Sequence, residues 1–318
     1  LGANIDRGDE LIAIGISAGA MQSVASLMAS GGSDAVTNAL GPSTVGTTRI
    51  MRVRSQAGLE RDVTLAKADY ALDPVSDRYG AKVFTDGARK IGYINLRTFI
   101  DSANPDLRTA FANFRTQGVT ELIIDMRYNG GGLISTAELM NNLMGAGLGG
   151  QVQARIAFRD SKADNNEAIT FTEQAESIQP LKVAFIGTGG TASASEMVIN
   201  SFVPYLGTNM ALVGSNTYGK PVGQIALDLP ECDDRLRAVA LKIENANGQG
   251  DYYTGLAATM PHTCRVDDDI THPLGSANEA MIRTALDFLA GRSCSAITAT
   301  ASATASTMGI SGSRGIMM

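Results

Sequence analysis

Residues 181–199 of this 318-residue chain read LKVAFIGTGGTASASEMVI, and this stretch predicts a strand, a glycine turn and a helix. The apolar run 181–186 has the length and composition of a buried strand. The helical pattern begins behind Glu196, which places Ser193 and Ser195 at the N-terminus of the helix. Unpaired backbone N–H groups at that end favour negative charge. Because strand and helix patterns alternate through much of the chain, we predict an α/β fold.

The serine run has two interpretations. In the structural one, Ser193 is the N-cap of the helix and Glu196 reaches back to it, as in a capping box. Three features favour catalysis instead: small residues around Ser193 leave room for a substrate, a second glycine turn at 130–132 supplies another N–H, and Lys220 follows in a loop. A lysine can serve as the base for a serine nucleophile. We therefore predict a serine–lysine hydrolase.

Composition excludes several classes of protein. The net charge of −6 and the lack of a basic cluster argue against nucleic acid as a partner. No apolar run approaches the ~20 residues that a membrane span needs. The only two histidines, His262 and His272, lack the spacing of a helical zinc motif, and we expect neither a metal nor a cofactor.

Two familiar motifs are rejected on context. Residues 15–19 match the G-x-S-x-G elbow, but too few strands precede them for the fold in which that elbow occurs. Residues 214–220 mimic a phosphate-binding loop, but Pro221 stands where that loop needs Ser or Thr. Nucleotide binding is therefore not expected, and Lys220 needs another role.

The first part of the chain has a pattern of its own. Strands at 9–14, 49–53 and 61–65 and a short helix at 34–40 resemble the back part of a PDZ domain. We expect residues 1–72 to form a PDZ-like domain whose N-terminal part, including its first strand and carboxylate-binding loop, is absent.

Three ordered blocks carry a more specific resemblance. Residues 125–132 (DMRYNGGG), 191–196 (TASASE) and 217–224 (TYGKPVGQ) resemble the signature blocks of the C-terminal processing (tail-specific) serine peptidase family. The resemblance implies a catalytic domain over 73–293 with a crotonase/ClpP-like core. The Ala/Ser/Thr-rich composition of 294–318 predicts a disordered tail.

Matched by motif position, Ser193 corresponds to the nucleophile, Lys220 to the general base and Gln224 to the residue that orients the lysine. The oxyanion donors would be the N–H groups of Ala194 and Gly132, with Gly131 as a further candidate from the same turn. The resemblance implies a serine endopeptidase that forms an acyl-enzyme on protein or peptide substrates, with cleavage near their C-termini. It also implies an exported bacterial protein, periplasmic or secreted.

The chemistry leaves two alternative sets of catalytic residues open. Ser195 is the second candidate nucleophile, although a serine inside the first helical turn more often bonds to nearby backbone. A Ser-His-Asp triad would need His262 or His272 together with the acidic run 267–269, which we interpret instead as a solvated polar loop.

Two functions of another class compete with the hydrolase. The first is a non-catalytic PDZ-type peptide-binding protein with a peptidase-like core. The second is an acyl-CoA enzyme that uses N–H donors without a serine–lysine pair. Intact Ser193, Lys220 and Gln224 favour the hydrolase.

Three cysteines lie in the last third of the chain. Cys232 and Cys264 are candidates for a disulfide, which would leave Cys294 free, but the sequence does not decide the pairing.

Overall fold

The computed structural model describes residues 5–298, which form two compact units. The first unit contains residues 5–72 together with Asp269–Pro273. The second unit contains Asp73–Asp268 and the described residues from Leu274 onward. Among the helices of the described part, none has the length and apolar character that crossing a bilayer requires.

The first unit is an antiparallel sheet with one helix. Its strands are β1 (Glu10–Gly15), β2 (Met21–Ser23), β3 (Thr48–Arg54) and β4 (Glu60–Ala66), in the order β2-β1-β3-β4. Helix α1 (Val24–Ala39) begins at Ser23, whose Oγ accepts the Ser26 N–H at 3.1 Å. The helix predicted at 34–40 corresponds to the second of two helical segments in α1, because the non-helical backbone of Gly31 and Gly32 separates the two.

The second unit carries ten strands and four helices. The strands are β5 (Ala81–Asp86), β6 (Arg89–Asn95), β7 (Glu121–Asp125), β8 (Val152–Phe158), β9 (Glu167–Thr170), β10 (Lys182–Gly187), β11 (Met210–Gly214), β12 (Val222–Leu229), β13 (Asp234–Glu244) and β14 (Thr263–Arg265). The helices are α2 (Asn104–Gln117), α3 (Ile134–Met144), α4 (Ala194–Leu206) and α5 (Ala280–Leu289).

A six-stranded sheet in the order β14-β11-β10-β7-β6-β5 forms the centre of this unit. Its strands are parallel except for β5, which pairs antiparallel with β6. Leu122 and Ile124 of β7 pack in the cluster with α2, α3 and α4, whereas Ile123 packs in the cluster with α5. Helices therefore cover both faces of the sheet, as expected for largely parallel strands. This confirms a mixed α/β fold.

A second, antiparallel sheet extends beside the first in the order β12-β13-β8-β9. Strand β12 is one of its two edge strands, and it begins directly after the loop that carries Lys220. Because the carboxyl ends of β7, β10 and β11 meet at one edge of the central sheet, the glycine turn, the Ser193 turn and the Lys220 loop are brought to the same place.

The described C-terminal residues correct two expectations. Cys264 forms a disulfide with Cys294, and the exposed Cys232 is the free cysteine among the described residues. The predicted tail begins with an ordered segment, since Ser295 O accepts the Arg265 N–H at 2.7 Å and the Ile297 N–H donates to Thr263 at 2.9 Å. The remainder of that predicted tail, 299–318, lies outside the described residues.

Candidate active site

Ser193 occupies a strained turn between β10 and α4. It is the N-cap of α4, as predicted, and its backbone adopts φ 57° and ψ −115°. A residue with a Cβ rarely takes a positive φ, and such strain costs roughly 1–3 kcal/mol when the surroundings hold it. Strain of this kind is concentrated at functional sites. The half-buried Ser193 side chain lines a cleft.

Hydrogen bonds to the neighbouring glycine turn hold this strained segment. Ala192 N–H donates to Asn129 O at 3.1 Å, and Thr191 Oγ1 donates to Met126 O at 2.8 Å. Ser195 is fully buried, and its Oγ donates to the same Asn129 oxygen at 2.9 Å. Ser195 is thus committed to a backbone carbonyl, which leaves Ser193 as the serine of the run that lines the cleft.

The glycine turn at 130–132 approaches Ser193 closely. A Cβ added to Gly131, whose φ is +105°, would lie 2.8 Å from the Ser193 Cβ. The prediction that Gly131 is an oxyanion donor is corrected, because its N–H already donates to Asn129 Oδ1 at 2.9 Å. Within residues 5–298, the N–H groups of Gly132 and Ala194 have no hydrogen-bond acceptor, and both residues line the cleft. The structure therefore offers two donors rather than three.

Glu196 joins the Ser193 turn to the Lys220 loop. Its carboxylate is fully buried and accepts four hydrogen bonds. Oε2 accepts the Ser193 N–H at 3.0 Å and the Lys220 N–H at 2.8 Å. Oε1 accepts the Gly219 N–H and the Thr217 hydroxyl, each at 2.7 Å. The expected capping contact from Glu196 to Ser193 is present, but it is one of four.

This wider role of Glu196 was not predicted from the sequence. The signal was present, because α4 is apolar around Glu196 and a buried carboxylate in such a helix needs partners. Burial raises the pKa of Glu196, and the four hydrogen bonds oppose that shift without cancelling it. Burial also raises the pKa of Tyr252, and the negative charge of Glu196 raises it further, so the phenol beside this carboxylate stays neutral.

The Lys220 loop is shaped by close backbone contacts. Gly219 has φ +89°, and a Cβ there would lie 2.5 Å from Tyr253 O. Asn216 Oδ1 accepts the N–H groups of Thr217 and Ala257 at 3.0 and 2.9 Å. Lys220 is half-buried and has no ion pair within residues 5–298. Its side chain is therefore placed by the fold of the loop rather than by a carboxylate.

One cleft of about 270 Å³ brings most of the predicted site residues together. It is lined by Gly132, Leu133, Ile134, Ser193, Ala194, Lys220, Gly223, Gln224, Ala226, Arg237 and Ile243. The predicted nucleophile, base, orienting residue and two of the three predicted donors thus share one cavity. A hydroxyl, an amine and two unengaged N–H groups in one cleft can carry out acyl transfer.

Neither histidine lines this cleft. His272 Nδ1 lies 2.7 Å from Asp269 Oδ2, and the ring of His262 packs 6.0 Å from that of Phe288. The structure thus does not assemble the alternative Ser-His-Asp set at Ser193. No group of three or more His, Cys, Asp or Glu side chains in the described part of the chain is arranged to hold a metal ion.

A buried ion network lies behind the glycine turn. Arg127 is fully buried and bonds to Asp125, to both carboxylate oxygens of Glu279 at 2.8 Å and to Asp268 at 2.9 Å. We expected the acidic run 267–269 to be solvated. The structure differs from this expectation, because Asp268 pairs with the buried Arg127. The network fixes the segment between β7 and the glycine turn to the N-terminus of α5.

Comparisons with known proteins match much of the chain to one peptidase family. The profile of Peptidase family S41 matches residues 90–257, which is more than half of the chain. The carboxyl-terminal-processing protease of Picosynechococcus sp. is 27% identical over 171 residues, covering 54% of this chain and 38% of that protein. The chloroplastic C-terminal processing peptidase of Tetradesmus obliquus is 28% identical over 178 residues, covering 54% and 36%. The chain thus matches well under half the length of these relatives.

A solved structure extends the similarity beyond the matched residues. A crystal structure from Bacteroides fragilis NCTC 9343, whose name places it among the S41 proteases, superposes with a TM-score of 0.73 at 25% identity. The match covers 91% of this chain and 74% of that one.

Proposed function

The chain belongs to peptidase family S41, and from that premise we propose that it is a serine endopeptidase acting on protein or peptide substrates. The observation that carries the proposal is the Glu196 carboxylate, which bonds at once to the backbone of Ser193 and of Lys220. One buried side chain thereby holds the nucleophile turn and the lysine loop in a fixed relation. Such preorganisation is what acyl transfer requires.

The proposed reaction begins with proton transfer from Ser193 to a neutral Lys220. Ser193 Oγ attacks the carbonyl carbon of the scissile bond, and the N–H groups of Ala194 and Gly132 stabilise the oxyanion. Each such donor is worth roughly 10²–10³ in rate. The C–N bond breaks, Lys220 returns the proton to the leaving amine, and an acyl-enzyme ester remains.

Water completes the reaction by the same route. Lys220 takes a proton from a water molecule, the resulting hydroxide adds to the ester, and Ser193 leaves with the proton from Lys220. Gln224 lines the cleft with Lys220, and we assign it the role of orienting the amine. An amide can accept a hydrogen bond from the amine without stabilising its charged form, as a carboxylate would.

We propose a crotonase/ClpP-like core for the second unit and a PDZ-like peptide-binding role for the first. The helix-covered sheet of the second unit supports the former. The four-stranded sheet with α1 supports the latter. On this proposal the first unit selects substrates and cleavage falls near their C-termini.

The Cys264–Cys294 disulfide supports a periplasmic or secreted location, because such bonds persist mainly in oxidising compartments. Recovering the protein from separated cell fractions of its source tests this location directly. A protein found only in the cytoplasm would refute it.

Hydrolysis of an unfolded protein substrate tests the proposed function. We expect Ser193→Ala and Lys220→Ala each to abolish cleavage, while Lys162→Ala, which changes an exposed lysine outside the cleft lining, cleaves like the parent. Binding of the substrate without cleavage by the parent protein would favour the peptide-binding alternative instead. Full activity of the Ser193 variant would rule out the assigned nucleophile.

A further inference from the structure

A second cationic side chain shares the cleft with Ser193 and Lys220. Arg237 lies on β13, is half-buried and lines the same cavity. No aspartate or glutamate of the described residues lines that cavity. The cleft therefore carries a guanidinium and no carboxylate in its lining.

The register of the β12–β13 hairpin places Arg237 relative to the catalytic groups. Arg237 pairs with Ala226, two residues beyond Gln224 on β12. Cross-strand partners and alternate residues lie on one face of a sheet, so all three residues share the face that meets the cleft. Two residues of a strand span about 7 Å, which puts Arg237 roughly two substrate residues away from the position of Gln224.

Arg237 differs from its neighbour on the same face in having no ion pair within residues 5–298. Arg235 bonds to both carboxylate oxygens of Asp228, at 2.9 Å for the Nη2–Oδ2 contact. Asp228 is therefore hydrogen-bonded to Arg235, and Arg237 acts on it only through its charge. The small Ala226 opposite Arg237 leaves the guanidinium uncovered on the cleft side.

Part of the remaining wall of the cleft is apolar. Leu133, Ile134 and Ile243 line it, and Ile243 is 3% exposed. An apolar wall next to a guanidinium suits an extended peptide that presents apolar side chains and one carboxylate.

We propose that Arg237 is a specificity-determining residue that binds a substrate carboxylate about two residues from the scissile bond. A guanidinium donates two parallel N–H bonds to a carboxylate, which gives both charge and geometry for recognition. The carboxylate comes from the C-terminus of the peptide or from an aspartate or glutamate side chain. The inference rests on the proposed peptidase function, because it assigns part of the same cleft to substrate.

Matched peptides test the proposal and identify the source of the carboxylate. The first pair compares a peptide that ends in a free carboxylate with the same peptide ending in an amide. A series of such pairs places the C-terminus one to four residues from the scissile bond. The other pair compares Glu with Gln at each position of a longer peptide. We expect kcat/KM to favour the acidic member by about tenfold in at least one pair. A preference in the first pair assigns a terminal carboxylate, and one in the second assigns a side chain.

Variants at position 237 connect the preference to the guanidinium. In Arg237→Gln, the ratio between acidic and neutral peptides should fall to about one. In Arg237→Glu, kcat/KM should be higher for a peptide with Lys at the position of the preferred carboxylate than for the acidic peptide. Arg155→Gln removes an equal charge from an exposed position of the neighbouring strand β8, and it should keep the parental ratio.

A binding measurement separates this inference from the proposed reaction. Titration of the same peptides into Ser193→Ala should show tighter binding of the acidic members, by about tenfold, whether or not the parent cleaves. Equal binding and equal kcat/KM for acidic and neutral peptides, in both pairs, would overturn the role of Arg237. Acid-selective binding without any cleavage by the parent would sustain the subsite and refute the peptidase.

Discussion

Glu196 Oε2 accepts the Lys220 N–H at 2.8 Å, across 24 residues of sequence. The same oxygen accepts the Ser193 N–H at 3.0 Å, so one atom fixes the backbone of the proposed nucleophile and of the proposed base. Because the carboxylate is fully buried, water cannot replace these bonds. The relation between the two catalytic segments therefore depends on this side chain.

Glu196→Gln should lower kcat by roughly 10–100-fold and change KM much less. The glutamine amide keeps one oxygen acceptor and replaces the other with an NH₂ donor. At least one of the backbone N–H groups that now bond to Glu196 would then face this donor and lose its hydrogen bond. Steady-state hydrolysis of a fluorogenic peptide, with circular dichroism to confirm folding, measures the effect. Glu173→Gln makes the same change at an exposed position and should match the parent. An unchanged kcat in a folded Glu196→Gln protein would contradict the claim that Glu196 holds the Ser193 and Lys220 segments in position.

Gly131→Ala should reduce activity by more than about 100-fold. The added Cβ would lie 2.8 Å from the Ser193 Cβ, and the φ of +105° disfavours any residue other than glycine. A displacement near 1 Å at the nucleophile suffices for such a loss. Gly130→Ala provides the matched control, because nothing lies within 4 Å of its added Cβ. Equal activity of the two variants would show that the turn does not position Ser193.

The central elements of the fold were predictable because their signals are local. The apolar run before residue 187 predicted the strand. The small residues around Ser193 predicted the turn and the N-cap of the helix. Motif order placed Ser193, Lys220 and Gln224 in one site, and the structure places all three at one cleft. The domain identities and the catalytic roles themselves remain predictions.

Long-range pairings were not predictable from the sequence. Glu196 already had a local explanation as a cap, so nothing pointed to Thr217 or Lys220 as further partners. The Arg127–Glu279 pair spans 152 residues, and only the packing of α5 against the sheet brings the two together. The disulfide likewise depends on the C-terminal segment lying beside β14, which composition did not reveal.

The Arg127 network predicts a specific pH dependence of stability. Burial would raise the pKa of Glu279, but the hydrogen bonds and charge of Arg127 outweigh burial and hold it below its usual 4.5. A carboxyl whose pKa is lowered by folding stabilises the protein above the unfolded pKa, and this contribution disappears as the pH falls through the folded pKa. The free energy of unfolding should therefore decline below about pH 4.5.

Glu279→Gln should cost about 3 kcal/mol near pH 7, since it breaks a buried pair. The difference from the parent should shrink as the pH falls below about 4.5, which urea unfolding at several pH values measures. Glu176→Gln disrupts the partly exposed pair with Arg108 and should cost under about 1 kcal/mol. A Glu279→Gln difference that is constant from pH 7 to pH 3 would contradict the assigned cause.

The cysteine pairing predicts a defined labelling pattern. Alkylation without reductant should modify Cys232 alone, and reduction should add Cys264 and Cys294. Cys294→Ser should destabilise the fold by roughly 3–4 kcal/mol, because the disulfide closes a loop across 30 residues. Cys232→Ser should leave stability close to the parent. Peptide masses showing Cys232 in a disulfide would contradict the structure.

The most direct test of the central claim is the site of covalent labelling by a fluorophosphonate probe. Such a probe reacts with a serine hydroxyl that a base activates and an oxyanion hole supports. We predict one adduct per chain, on Ser193, which is lost in Ser193→Ala and in Lys220→Ala but kept in Lys162→Ala. No adduct on the folded protein, or an adduct on Ser195 or on Ser17 of the first unit, would contradict the assignment of Ser193 and Lys220 as the catalytic pair.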